Sequence, residues 1–164
     1  MAVLNLGTMR PGRPLKWLLR APVALYSAHA GWLLGHRFLL LAHRGRRTGR
    51  VYRTVLEVVA WDEATREVVV MSGFGRDSQW YRNVLATDPV EVRIARLRFA
   101  PRVRQLDAEE AARVLAGYEQ RNRIAASFLR RVLSKVAGFS YDGSESARRR
   151  LVQELPLLAF RPRD

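Results

Sequence analysis

Two short glycine-containing stretches hold the residue types from which a site could be built. The first is Gly45-Arg46-Arg47-Thr48-Gly49-Arg50. Its glycines allow a backbone that curls until successive N–H groups point at one anion. Arg46, Arg47 and Arg50 bring the planar fork that matches a phosphate bidentately, and Thr48 adds a hydroxyl donor. The same residues also suit an exposed hairpin turn whose arginines serve only solubility. The second stretch is Ser72-Gly73-Phe74-Gly75. Leaving a strand and entering a helix, it would offer backbone donors near a helix N-terminus, although a plain connection reads the same way. Residues 45–49 lack the glycine spacing and the lysine of a P-loop. No Ser/His/Asp arrangement and no paired-carboxylate signature is visible, because the acids are few and sit mostly at helix starts.

Composition narrows the classes further. A chain of 164 residues, 48% of them hydrophobic, can bury a core, and we read residues 1–164 as one domain. Cysteine is absent, which excludes disulfides, thiolate catalysis and cysteine-ligated metal centres, and fits a reducing cytoplasm. The three histidines, His29, His36 and His43, are spaced seven and seven along an apolar stretch, a poor pattern for a closed metal site, and no metal is expected. The net charge of +14 attracts polyanions: nucleic acid, acidic lipid or a phosphorylated ligand. A general bias toward arginine on solvated faces explains much of the same excess. The basic residues are spread along the chain rather than gathered into one module. A nucleic-acid partner is therefore not expected, although a non-enzymatic nucleic-acid binder stays as a competing class.

These stretches need elements to position them. The segment Leu15–Leu41 is apolar but interrupted, too broken for a membrane span. It reads as a helical extension over residues 1–36, from about Pro14, broken at Pro22 and running on to Trp32–Leu34. Lys16, Trp17, Arg20 and Trp32 leave peripheral contact with an anionic membrane face open, against packing across the fold. Phe38–Ala42 suits a strand buried on both faces. Tyr52–Ala60 alternates, with Tyr52, Thr54, Leu56 and Val58 on one face and Arg53, Val55, Glu57 and Val59 on the other. Trp61–Thr65 reads as a hairpin loop and Glu67–Ser72 as the returning strand. Asp77 is expected to cap a helix that buries Trp80, Val84 and Leu85 and ends near Asp88, before Pro89. Val90, Val92 and Ile94 mark another strand, with Arg98–Gln105 as its partner and Pro101 signalling an edge or bulge. Asp107-Ala108-Glu109-Glu110 opens a helix as a capping box, with Ala111, Val114, Leu115 and Tyr118 on its apolar face. A further helix carries Ile124, Phe128, Val132 and Val136 and ends at Gly138. Ser144–Gln153 is a short helix and Leu155–Phe160 a last strand.

The stretch Leu39–Thr54 resembles the deazaflavin-dependent nitroreductase and quinone reductase family, whose members pair a basic Ser/Thr-Gly turn with an Arg-Thr-Pro-like strand. The block from Ser72-Gly73-Phe74-Gly75 through Trp80-Tyr81-x-Asn83 to Asp88-Pro89 is similar to that family's glycine loop, Trp-Tyr-x-Asn-Leu helix and Asn-Pro exit. The resemblance covers about residues 38–107. It implies an α+β fold: a split β-barrel with an N-terminal helix and flanking C-terminal helices, binding coenzyme F420 and passing hydride to a quinone, nitroaromatic or similar small-molecule acceptor. Under that resemblance Arg46, Arg47, Thr48 and Gly49, with Arg53, take the phosphate side. Ser72, Gly73, Phe74 and Gly75 lie against the ring, and Trp80 closes the pocket. Catalytic side chains are not identified; Tyr118 and Tyr141 stand in for the family's tyrosine-rich segment. Val55 replaces a proline found in many members, and the loop before Trp80 is shorter. Related split barrels bind FMN or haem, so FMN is the alternative cofactor. The same reading allows a homodimer and a cytoplasmic protein, up to the inner face of the membrane.

Overall fold

The computed structural model describes residues 35–122, 134 and 138–163. The expected N-terminal helices up to Leu34, and the helix through Ile124, Phe128, Val132 and Val136, lie outside the described residues. Among the described residues no helix is long and apolar enough to cross a membrane.

Seven strands form one antiparallel sheet: β1 (Phe38–Arg44), β2 (Val51–Asp62), β3 (Glu67–Met71), β4 (Glu91–Ile94), β5 (Leu97–Phe99), β6 (Pro101–Gln105) and β7 (Leu157–Pro162). Their order is β5-β4-β1-β2-β3-β7-β6. The two outermost strands, β5 and β6, are separated in the chain by Ala100 alone. The chain therefore steps from one edge of the sheet to the other and curls it into a nearly closed barrel. Arg163 N–H donates to the Ala100 carbonyl at 3.0 Å across this step. With the helices α1 (Gln79–Ala86), α2 (Ala108–Arg121) and α3 (Glu145–Glu154), the architecture is the expected α+β split barrel.

Alternation along the strands makes two cores. Leu39, Leu41, Val58, Val68, Val70, Val92, Ile94, Leu158 and Phe160 turn inward and meet Tyr81 and Val84 of α1. On the opposite face, Val59, Val69, Leu157 and Ala159 are covered by Leu115 and Tyr118 of α2 and Leu151 of α3. Both α2 and α3 start as their sequences demand. Asp107 accepts from Glu110 N–H at 2.8 Å and Ser144 from Ala147 N–H at 3.2 Å. Only half of the capping box forms at Asp107, because the Glu110 carboxylate is drawn to Arg104, which also forks onto Glu67.

Several expectations are corrected. Trp61 and Asp62 belong to β2, and the turn falls at residues 63–66, where the Asp62 carboxylate accepts from Ala64 N–H at 2.9 Å. Arg98–Gln105 is not one partner strand: it splits at Ala100, so that Phe99 pairs with β4 while Pro101 pairs with Pro162 of β7. Pro101 does mark an edge strand. Asp77 does not cap α1. It ends a 3-10 turn, Gly75–Asp77, and its carboxylate pairs with Arg82. Leu85 points to solvent, because a helix of only eight residues at the barrel mouth buries Tyr81, Asn83 and Val84 instead. Val90 is exposed and precedes β4.

Candidate functional site

The site begins where the barrel is split. Residues 51–57 of β2 pair with β1 alone, and β3 joins only from Val58 onward. β2 is therefore buried on both faces in its second half and largely open in its first, where Val51 and Tyr52 are exposed. Beyond the end of β3 runs the Ser72–Ser78 loop, and α1 follows it.

The basic turn joins β1 to β2. Gly45 N–H donates to the Arg50 carbonyl at 2.8 Å, and the Thr48 and Gly49 amides donate to the Gly45 carbonyl at 3.2 and 2.7 Å. Gly49 has φ +66°, a conformation that favours glycine. A Cβ on Gly45 would stand 2.7 Å from both Thr48 Oγ1 and the Tyr52 ring. Thus both glycines are required by the turn. The expected cradle of backbone amides is not formed, however. The Gly45, Thr48 and Gly49 amides are spent within the turn, Arg50 N–H lies 3.4 Å from Thr48 Oγ1, and Arg46 N–H donates to Asn83 Oδ1 at 3.1 Å. Thr48 Oγ1 also lies 3.2 Å from the Tyr52 hydroxyl, so it braces the turn. Among the described residues the Arg47 amide alone in this turn has no partner, so the donors the turn presents outward are chiefly its arginine side chains.

Those side chains are uncompensated. Residues 37–56 contain six arginines and no acid. Among the described residues, Arg44, Arg46, Arg47, Arg50 and Arg53 enter no ion pair; the ion pairs described draw on acids elsewhere. Arg46 is docked onto α1: its Nη1 donates to Gln79 Oε1 and to Asn83 Oδ1, both at 3.0 Å. Asn83 Nδ2 lies 3.2 Å from His43 Nδ1, and His43 Nε2 lies 3.4 Å from Thr54 Oγ1. A line of neutral groups thus runs from the barrel interior to the arginine. Burial holds the His43 imidazole below its ordinary basicity. Arg47 and Arg50 are exposed beside it. Arg53 pairs in register with Ala42, which puts it on the face of β2 opposite Thr54, away from this line.

The second loop divides by residue. Ser72 is fully buried; its hydroxyl bonds the Gly75 carbonyl at 2.6 Å and Ser78 Oγ at 2.9 Å. Its side chain therefore folds the loop rather than facing outward, and Ser78, at the head of α1, is diverted from capping it. Gly75 has φ +69°, and a Cβ there would lie 3.1 Å from the Glu154 carbonyl. Gly73 is open, with nothing within 4 Å of a Cβ, and Phe74 is 57% exposed. Trp80 is half-buried, packed on the inner core and edge-on to Tyr81.

Tyr118 and Tyr141 belong to the outer core. The Tyr118 hydroxyl donates to Glu57 at 2.7 Å, and burial pushes its ionisation above the usual phenol range. The Tyr141 hydroxyl donates to buried Glu119 at 2.6 Å. Neither joins the arginine line. Sequence reasoning did not single out Gln79 or His43 for that line, and it quoted Asn83 only within a motif. An available signal was a histidine inside an otherwise apolar strand, together with two amides four residues apart on one helix. Among the described residues no group of three or more His, Cys, Asp or Glu side chains gathers as a metal site.

A family model described as F420H(2)-dependent quinone reductase matches residues 18–130. No curated protein matches the chain. Among solved structures, an F420-H2-dependent reductase, FDR-A, is 15% identical, with 77% of this chain and 95% of that one covered and a TM-score of 0.47. A protein of unknown function from Agrobacterium tumefaciens is 13% identical, covering 88% of this chain and 56% of that one, with a TM-score of 0.50. A pyridoxamine 5'-phosphate oxidase-related, FMN-binding protein from Nostoc punctiforme is 12% identical, covering 94% and 82%, with a TM-score of 0.44. At 13% identity, the likeness with a TM-score of 0.50 speaks to the fold alone.

Proposed function

Because the chain belongs to the F420H(2)-dependent quinone reductase family, a family of oxidoreductases, we propose that it uses reduced F420 to deliver hydride to an electron-poor small molecule, a quinone or a nitroaromatic compound. The observation that carries this reading is the arginine turn without counter-charge. F420 carries a phosphate and a polyglutamate tail, and a cluster of cations that no acid neutralises suits it. When bound, the cofactor supplies a two-electron hydride donor.

The protein's own residues would bind and orient. Arg46 and Arg47 take the phosphate, with Arg50 adding charge at the rim. Thr48 and Gly49 shape the turn that presents them. Gly73 and Phe74 form the surface against which the ring lies, since the absence of a Cβ at Gly73 leaves that backbone approachable. Ser72 and Gly75 hold the loop in that posture, and Trp80 supports its wall. No side chain is needed as an obligate acid, because the open half of β2 leaves solvent access for a proton. Arg53 would act only on a portion of the ligand that reaches the opposite face of β2.

The test is a fluorescence titration of purified protein with F420. Replacing both Arg46 and Arg47 by Ala should weaken binding well beyond about tenfold, since charge-assisted bonds contribute roughly 1.5–3 kcal/mol each. An unchanged dissociation constant in the folded double variant refutes the assignment of the turn. Consumption of reduced F420 with a panel of quinones and nitroaromatics then selects the acceptor class.

A further inference from the structure

We propose that Asn83 and Gln79 are positioning residues, with His43 behind Asn83, that hold the Arg46 guanidinium in place while withholding any counter-charge from it. The inference rests on the reading that the turn binds an anionic cofactor.

Asn83 is 5% exposed on a helix face otherwise made of Tyr81 and Val84. Burying an amide is costly unless its groups are bonded. Here both ends are used. Oδ1 accepts from the Arg46 amide at 3.1 Å and from Arg46 Nη1 at 3.0 Å, and Nδ2 lies 3.2 Å from His43 Nδ1. Only one orientation works, because a flipped amide would set its NH2 against two Arg46 donors. That orientation requires a lone pair on His43 Nδ1, which leaves the hydrogen on Nε2, toward Thr54 Oγ1. The neutral imidazole is thus the hinge that fixes the amide. Burial favours this form and outweighs a backbone hydrogen bond at Arg44 that pulls the other way, while the stacked Tyr52 ring and Thr54 from β2 and Asn83 from α1 face His43 without charge. No carboxylate of the described ion pairs faces it.

The choice of amides has a consequence for charge. A carboxylate at position 83 or 79 would also hold the arginine, but it would neutralise it. Asn83 and Gln79 fix the fork and leave its full positive charge for a ligand. They also remove, in advance, rotamer freedom that a loose arginine would lose on binding.

A double-mutant cycle tests this. F420 affinity is measured by fluorescence for the wild type, Arg46→Ala, Asn83→Leu and the double variant, with near-ultraviolet circular dichroism to confirm folding. Arg46→Ala should weaken binding about tenfold or more, and Asn83→Leu about fivefold or more, as expected for loss of a pre-organised charged contact. Adding Asn83→Leu to Arg46→Ala should change nothing further. An equal loss in both backgrounds overturns the inference, because Asn83 would then act through the fold or directly on the cofactor. If Arg46→Ala weakens binding and Asn83→Leu does not, the inference fails and the reading of the turn stands. If Arg46→Ala has no effect, both fail. Should Asn83→Leu not fold, Gln79→Leu at an exposed position replaces it in the same cycle. Full affinity there, or a loss that persists without Arg46, overturns the inference.

Discussion

Asn83→Asp separates the holding of Arg46 from the charging of it. Aspartate has the shape of asparagine, so one carboxylate oxygen takes the place of Oδ1, 3.0 Å from Arg46 Nη1 and 3.1 Å from its amide. The arginine stays docked, but a negative charge now sits behind it. An anion on the outer side of the guanidinium would lie about 7 Å from that carboxylate. At an effective dielectric of about 20 the repulsion is roughly 2.4 kcal/mol, or about fiftyfold in affinity. Stability should move little. The new bonds from Arg46 to the introduced carboxylate are charge-assisted, and the lost donor to His43 is offset when the neutral imidazole moves its hydrogen from Nε2 to Nδ1 and donates to the carboxylate. F420 titration at low ionic strength reads the first quantity and urea unfolding the second. Binding within about twofold of wild type, in a variant of wild-type stability, would refute the argument that the uncompensated charge on Arg46 drives recognition.

Other residues give independent checks. Tyr81 is 2% exposed and its hydroxyl has no partner among the described residues, so Tyr81→Phe should be at least as stable as wild type in urea, recovering part of the roughly 1–3 kcal/mol cost of an unmade bond. A loss above about 1 kcal/mol would show that the hydroxyl is satisfied. Gly75→Ala should destabilise by about 1–3 kcal/mol in thermal unfolding, given φ +69° and the Glu154 carbonyl 3.1 Å from the new Cβ; wild-type stability would mean that the loop runs differently. Gly73→Ala, with open space around it, should leave stability within about 0.5 kcal/mol yet weaken F420 binding several-fold, and full affinity would remove Gly73 from the ring surface. His43 makes stability depend on pH. Its folded pKa is lowered from 6.5, so below that pH the unfolded chain binds a proton that the folded one resists. Its contribution is complete above 6.5 and is lost as pH falls through the folded pKa. Urea midpoints between about pH 7 and 5 should fall less steeply for His43→Gln than for wild type, and identical profiles would contradict the burial argument.

The strands that could be read directly are those whose burial is decided locally. Phe38–Ala42, Glu67–Ser72 and Leu155–Phe160 are short β-branched or leucine-rich runs, and they lie within two residues of β1, β3 and β7. β2 alternates just as clearly, yet its burial is divided along its length. Where β3 joins it, at Val58, is a long-range fact that periodicity does not contain. The same holds for α1. Ser78 and Asp77 are both good caps by type, but Ser72 engages the first and Arg82 the second, and each partner is set by the fold.

The site shows the limit most clearly. By composition Arg44, Arg46, Arg47, Arg50 and Arg53 are equivalent cations. Folding makes them unequal: the turn spends most of its amides on itself, the strand register sends Arg53 to the far face, and α1 catches Arg46 alone between two amides. A chain with a net charge of +14 has no shortage of positive charge, so adding one more arginine should do little for affinity. What is scarce on such a surface is a cation whose direction is fixed and whose charge is not already answered. Removing that one arrangement through Asn83 should therefore cost more than deleting an exposed arginine such as Arg50.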